Sequence, residues 1–192
     1  MTVKQLLVSV LGAMAFAGSA NAALLSSTTT GAGNVVTDYS TGSQVSFDLD
    51  LAQLSHTSLT YTVEAADLAN PYLSFNALVR NLSGSALHGF ALYLDGIAFG
   101  PANGSVTPAF GSVGTVTRTD GKLAITFSAP EYAELHIGNP VLEADKFDWQ
   151  LATAGLAVGD RFVITSAVPE PGNLTLMLAG MGACAMLRRR RK

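Results

Sequence analysis

Between residues 45 and 51 the chain reads Val-Ser-Phe-Asp-Leu-Asp-Leu, so that Val45, Phe47, Leu49 and Leu51 alternate with Ser46, Asp48 and Asp50. A period of two sends the apolar set to one face of a pleated strand and the polar set to the other; a helix, with its period of 3.6, cannot gather either set on one side. Leu59, Tyr61 and Val63 repeat the pattern against Thr60, Thr62 and Glu64, and further runs follow at 73–80, 90–94, 113–118, 123–127, 132–137, 147–151 and 162–168. Turn signals separate them, among them Asn81-Leu-Ser-Gly84, Asp95-Gly96, Asp120-Gly121, Gly138-Asn-Pro140 and Gly159-Asp160. Short strands spaced by about 8–12 residues predict an all-β fold, an antiparallel β-sandwich of immunoglobulin-like or jelly-roll-like type. Thr119-Asp120-Gly121-Lys122 predicts a tight hairpin in which Asp-Gly supplies positive φ. Within this strand-rich region Ala65 to Ala69 is the one stretch that suggests helix, too short to alter the class. The Ser/Thr/Gly-rich segment 26–43 predicts a flexible lead with one edge strand near Val35-Val36.

Both ends of the chain depart from this pattern. At the start, Lys4 precedes an apolar run from Leu6 to Ala17 and the small-residue stretch Gly18-Ser-Ala20-Asn-Ala22. Ala20 and Ala22 fit the A-x-A site of a signal peptide spanning 1–22, because signal peptidase admits only small side chains there; cleavage before Ala23 is expected. The alternative is an uncleaved anchor, which the shortness of the run disfavours. At the other end Val168-Pro169-Glu170-Pro171 precedes an uncharged run from Leu174 to Leu187 and then Arg188, Arg189, Arg190, Arg191 and Lys192. The two prolines disfavour helix before them, so a helix over 173–187 is expected to follow. The run from Leu174 is roughly 21 Å long as a helix, short against a hydrocarbon core of about 30 Å. Five consecutive cations place that end on the cytoplasmic side. A last helix docked on the protein's own core is the alternative, but such a helix would show a polar face.

A Pro-Glu-Pro motif, an apolar segment rich in Leu, Ala and Gly, and a terminal Arg cluster, in that order over 168–192, resemble the PEP-CTERM sorting signal that exosortases recognise in Gram-negative bacteria. The resemblance implies an exported substrate held transiently in the inner membrane and then cut near Pro-Glu-Pro by a membrane-embedded, cysteine transpeptidase-like enzyme. It also implies surface display and an association with exopolysaccharide and biofilm matrix.

What remains is one domain, 23–167, long enough to bury around two thirds of its unfolded surface. It carries five cations (Arg80, Arg118, Lys122, Lys146, Arg161) and 13 acids, the 14 of the whole chain less Glu170, for a formal charge of 5 − 13 = −8. An acidic surface of this kind repels nucleic acid, whose binding needs clustered cations. Cys184 is the only cysteine, so no intramolecular disulfide can form and the apolar core must suffice.

The domain shows little that reads as chemistry. His56, His88 and His136 have no second His or Cys at metal-ligand spacing, and there is no G-x-S-x-G elbow, so isolated histidines and surface serines are the preferred reading. Asp48 and Asp50 share a strand face, and Glu143, Asp145 and Asp148 cluster around a turn. Either set could bind Ca²⁺ with loop oxygens or serve as a solvated polar face, and the second reading is preferred. Paired acids for glycoside hydrolysis would need a separation that sequence does not give. Trp149 and Phe147 on one strand face make either a sugar-stacking platform or, preferred, core together with Leu151. The sequons at Asn81, Asn103 and Asn173 are frequent by chance and are read as unmodified. No cofactor or metal is called for.

Two functional classes emerge. The first is an exported noncatalytic cell-surface or matrix protein whose partners are signal peptidase, exosortase, transiently the inner membrane, and extracellular polysaccharide. The alternative is a secreted carbohydrate-binding or carbohydrate-active β-sandwich.

Overall fold

The computed structural model describes residues 23–31 and 33–169. The expectations for 1–22, for Glu170 and Pro171, for the segment 173–187 and for the basic cluster 188–192 lie outside the described residues. Among the described residues no helix is long and apolar enough to cross a membrane.

The described chain is all-β, in two sheets packed on one core. The first sheet contains β1 (Leu24–Thr30), β4 (Thr57–Thr62), β6 (Leu87–Asp95), β9 (Ser112–Thr119), β10 (Lys122–Glu131) and β13 (Arg161–Ala167), in the spatial order β1-β4-β13-β6-β10-β9. The second contains β2 (Val35–Asp38), β3 (Gln44–Leu51), β5 (Tyr72–Asn81), β8 (Val106–Pro108) and β11 (Glu134–Ile137) in the order β2-β3-β5-β11-β8, with β12 (Trp149–Ala152) joining β5 to β7 (Ala98–Phe99). The strand β3 shows why the pattern works: all four of its apolar residues are fully buried and the four polar ones between them are half-buried. Leu59, Tyr61, Phe90, Leu92, Leu123, Ile125, Phe162 and Ile164 come from the opposite sheet to complete the same cluster. Burial of each large apolar side chain contributes about 1.5–3 kcal/mol, which is how a chain with one cysteine can hold a sandwich together. Aromatic contacts run along the inner face of the second sheet, from Phe47 to Phe75 (6.1 Å), Phe75 to Phe99 (6.3 Å) and Phe99 to Trp149 (5.9 Å).

Several expectations are corrected. The sandwich is not wholly antiparallel, because β3 and β5 pair in parallel from Gln44↔Ser74 to Leu51↔Asn81. The intervening β4 belongs to the other sheet, so the chain crosses the core twice and re-enters the second sheet in its original direction. The segment 26–43 holds two strands rather than one; β1, rich in Ser and Thr and mostly exposed, is held by its ladder to β4 and not by an apolar face. The hairpin at Asp120-Gly121 forms, with Thr119 paired to Lys122, yet neither turn residue has positive φ. Its two carbonyls accept hydrogen bonds from Phe99 N–H (2.7 Å) and Leu94 N–H (2.9 Å), so neighbouring strands set the turn's geometry instead of intrinsic Asp-Gly preference. Ala65–Ala69 contributes only a 3-10 turn, Asp67–Ala69. The runs at 132–137 and 147–151 start later than their sequence pattern, at Glu134 and Trp149.

One edge of β5 is covered end to end by β11 (residues 77–80) and then β12 (residues 72–75), and the chain between these two strands leaves the sheet at Asn76. Gly138 makes that departure possible. Its φ is +76°, and a Cβ there would lie 2.7 Å from Asn76 Cβ and 2.8 Å from the Phe75 carbonyl oxygen.

Candidate functional site

The two expected processing sites adjoin the ends of the described chain, the start of β1 and the end of β13, both in the first sheet. β13 lies inside that sheet, between β4 and β6, and buries Phe162, Ile164 and Ser166. Its ladder to β6 ends at Ala167↔Ala91. Val168 still packs against the core, whereas Pro169 is exposed and its ring lies over Gly89, 3.8 Å from where a Cβ would stand. A proline has no N–H to give to the ladder, so pairing stops there for a covalent reason. The first proline of the motif is therefore also the first exposed residue after the strand. Glu170, Pro171 and the cations from Arg188 to Lys192 lie outside the described residues.

At the other exit Ala23 is buried, and its backbone N–H donates to Asp67 Oδ1 at 2.8 Å. Asp67 Oδ2 accepts the Glu64 N–H at 2.7 Å, so one carboxylate ties the start of β1 to the turn between β4 and β5. Burial pushes the Asp67 carboxyl above the usual range, and the two amide bonds offset it only in part. Ala20 and Ala22 lie outside the described residues. Leu24 and Arg161 both pair with Thr62, while Thr30 and Ser166 both pair with Thr57. β1 and β13 thus run in the same direction, and the two exits sit at opposite ends of the sheet, roughly 20 Å apart along the strands at about 3.3 Å per residue.

Of the five acidic residues singled out in sequence, Asp48, Asp50 and Asp148 are engaged by neighbouring groups of the protein itself. Asp48 and Asp50 do share a face, but Arg80 from the parallel neighbour β5 lies across them: Nη2 donates to Asp48 Oδ2 at 3.0 Å and Nε to Asp50 Oδ1 at 2.6 Å. Burial lifts the Asp48 carboxyl above its ordinary value, Arg80 counteracts this, and the nearby Asp50 and Glu134 charges add to it. Asp148 accepts hydrogen bonds from Ser74 Oγ (2.6 Å), from Asn76 Nδ2 at both carboxylate oxygens (3.1 Å), and from Asn139 N–H (2.7 Å), pinning the loop between β11 and β12 against β5. Glu143 and Asp145 are exposed on that loop and do not join it. His136 lies 3.6 Å from Glu134 and 3.7 Å from Glu143, while His56 and His88 are exposed and apart. Among the described residues no three His, Cys, Asp or Glu side chains are grouped to hold a metal ion.

Trp149 and Phe147 separate. Trp149 is 2% exposed and its indole N–H donates to the Ser105 carbonyl at 3.2 Å, whereas Phe147 is 67% exposed, because β12 begins only after it. Trp149 and Leu151 are core, and no two-ring platform forms. An open cleft of about 480 Å³ has Trp149 and Arg118 in its wall, but Arg118 is bonded to the Gly100 and Ala102 carbonyls. Asn81 is buried with its amide nitrogen donating to Ser85 and Glu131 carbonyls, so that sequon is closed to modification in the folded state; Asn103 is exposed and Asn173 lies outside the described residues.

Two buried acids escape a pattern reading. Asp67 is one. Glu131, fully buried at the end of β10, is the other: Oε2 accepts the N–H groups of Phe110 and Gly111 (both 2.8 Å), and Oε1 those of Tyr132 (2.8 Å), Ala133 (2.6 Å) and Glu134 (3.3 Å). Burial alone would raise its carboxyl, but the backbone donors outweigh it and hold it below the ordinary value. In each case the sequence signal was weak, an acid standing where an apolar residue would fit the burial pattern. No family model, no curated protein and no solved structure matches the chain.

Proposed function

We propose that the chain is an exported, noncatalytic cell-surface or matrix protein of a Gram-negative bacterium, handled at both ends and working through its sandwich domain. Signal peptidase removes 1–22; the tail 168–192 then holds the domain in the inner membrane through 173–187 until an exosortase cuts near Val168-Pro169-Glu170-Pro171. The observation that carries this reading is the order of three elements in the tail, a Pro-Glu-Pro motif, an uncharged apolar run and five consecutive cations, directly after the last strand. The exposure of Pro169 next to a half-buried Val168 supports it, because a protease needs extended chain free of the sheet and β13 provides no linker. In this reading the sandwich is immunoglobulin-like or jelly-roll-like, and its extracellular partner is exopolysaccharide or biofilm matrix. The carbohydrate-active alternative is less supported: Asp48 and Asp50 are held by Arg80, Asp148 pins a loop and Trp149 is buried, which leaves the exposed Asp145.

Mass spectrometry of the mature C-terminus, in cells with and without exosortase, tests the proposal. The expected result is loss of the Arg-rich tail only where exosortase is present. An intact Lys192 terminus in both strains would sink it.

A further inference from the structure

Two carboxylates among the described residues are almost completely buried, and they are provided for very differently. Glu131 receives five backbone N–H groups, whereas Asp67 receives two. The ion pairs among the described residues involve Arg80 and His136, and none includes Asp67. A carboxylate that is 1% exposed and lacks a countercharge is costly to keep ionised. Glu64, whose own N–H donates to Oδ2, is the titratable group that acts on it electrostatically, and its negative charge makes the deficit larger. The second partner of Asp67 is the nitrogen of Ala23, the residue at which the mature chain is expected to begin.

We propose that cleavage of the Ala22–Ala23 peptide bond creates a cation for Asp67, which has none among the described residues, and that the new α-ammonium pairs with this carboxylate and fastens β1 to the domain. The inference rests on the export reading, because it needs the cut after Ala22. Hydrolysis consumes one water: hydroxyl goes to the Ala22 carbonyl carbon and hydrogen to the Ala23 nitrogen. The free amine then binds a further proton at neutral pH, since an α-amino group ordinarily titrates at about 7.7–8.0. The nitrogen already stands 2.8 Å from Oδ1, so a neutral amide donor becomes a charged one without rearrangement of the site. The precursor and the mature protein then differ in stability at this one point, and the mature form is the tighter.

The test uses the chain from Ala23 to Lys192 in detergent micelles, released from a fusion by a protease that leaves Ala23 first, in free and Nα-acetylated forms, each also as Asp67→Asn. NMR of ¹⁵N-alanine-labelled protein should show the α-amine titrating at least one unit above its ordinary range, a tenfold preference for the protonated form. In urea the free chain should have the higher unfolding midpoint at pH 7, and that advantage should vanish in D67N and above the pH at which the amine deprotonates. An ordinary α-amino titration, or the same advantage in D67N, would overturn the pairing. Should D67N fail to fold, the titration of the unsubstituted chain decides by itself. N-terminal sequencing of the exported protein reads the export step separately: a first residue other than Ala23 overturns maturation as the source of the cation, even where the pair titrates as expected.

Discussion

Replacing Glu131 by Gln keeps the size and shape of the buried side chain and removes one acceptor oxygen, which isolates what the carboxylate contributes. In the native protein one oxygen serves two N–H groups, from Phe110 and Gly111, and the other serves three, from Tyr132, Ala133 and Glu134. Whichever way the amide turns, its NH₂ faces at least two backbone donors. Each buried donor left without an acceptor costs about 1–3 kcal/mol, so two give a loss of about 2–4 kcal/mol once partial hydration of the Phe110 side is allowed for. That is a large part of the 5–15 kcal/mol typical of a domain. Urea unfolding at pH 7 should show a lower midpoint with an unchanged slope. The acid limb supplies a second reading. Because the folded-state pKa is lowered, Glu131 contributes stability that is present above the unfolded value of about 4.3 and is lost as pH falls through the folded one. E131Q should therefore be flatter than the native protein below about pH 4.3. A loss under 0.5 kcal/mol, or an acid limb identical to the native one, would refute the idea that these five bonds anchor the turn between β10 and β11.

Gly138→Ala forces a Cβ to within 2.7 Å of Asn76 and keeps a left-handed φ that alone costs about 1–2 kcal/mol, so thermal unfolding should drop by several degrees. Arg80→Ala leaves Asp48 and Asp50 side by side without their cation; with both partners partly exposed the loss at pH 7 should be about 1 kcal/mol. It should shrink as pH falls, because Asp48, whose folded pKa is already raised and rises further without Arg80, is relieved by protonation; a loss that does not change between pH 7 and pH 4 would count against charge as its cause.

The class of the fold is legible in β3, β4, β5 and β13 because each buries one face against a shared core, and burial of one face writes a period of two into sequence. β1 was not legible for the converse reason: its stability lies in a ladder to β4, which any run of Ser and Thr can make. The parallel pairing of β3 with β5 depends on β4 crossing to the other sheet, a long-range choice that no local pattern records. Trp149 and Phe147 looked equivalent by spacing, yet Phe147 precedes the strand and its alternation does not apply. The acids Asp48 and Asp50 were placed on one face correctly; what sequence could not supply was Arg80, 30 residues from Asp50, arriving through the parallel register. The resemblance of 168–192 to a sorting signal is a matter of sequence alone, whereas the end of the ladder before Pro169, beside Gly89, required the sheet to be seen.

The opposite placement of the two exits has a mechanical meaning. Tension applied between Ala23 and Pro169 pulls β1 and β13 in opposite directions along their own axes, with β4 between them. The load then falls in shear on many hydrogen bonds at once, over the six pairs of β13 with β4 and the six of β1 with β4, instead of opening them one at a time as a zipper. The domain is in this way most resistant to a force that pulls its two ends apart along the strands.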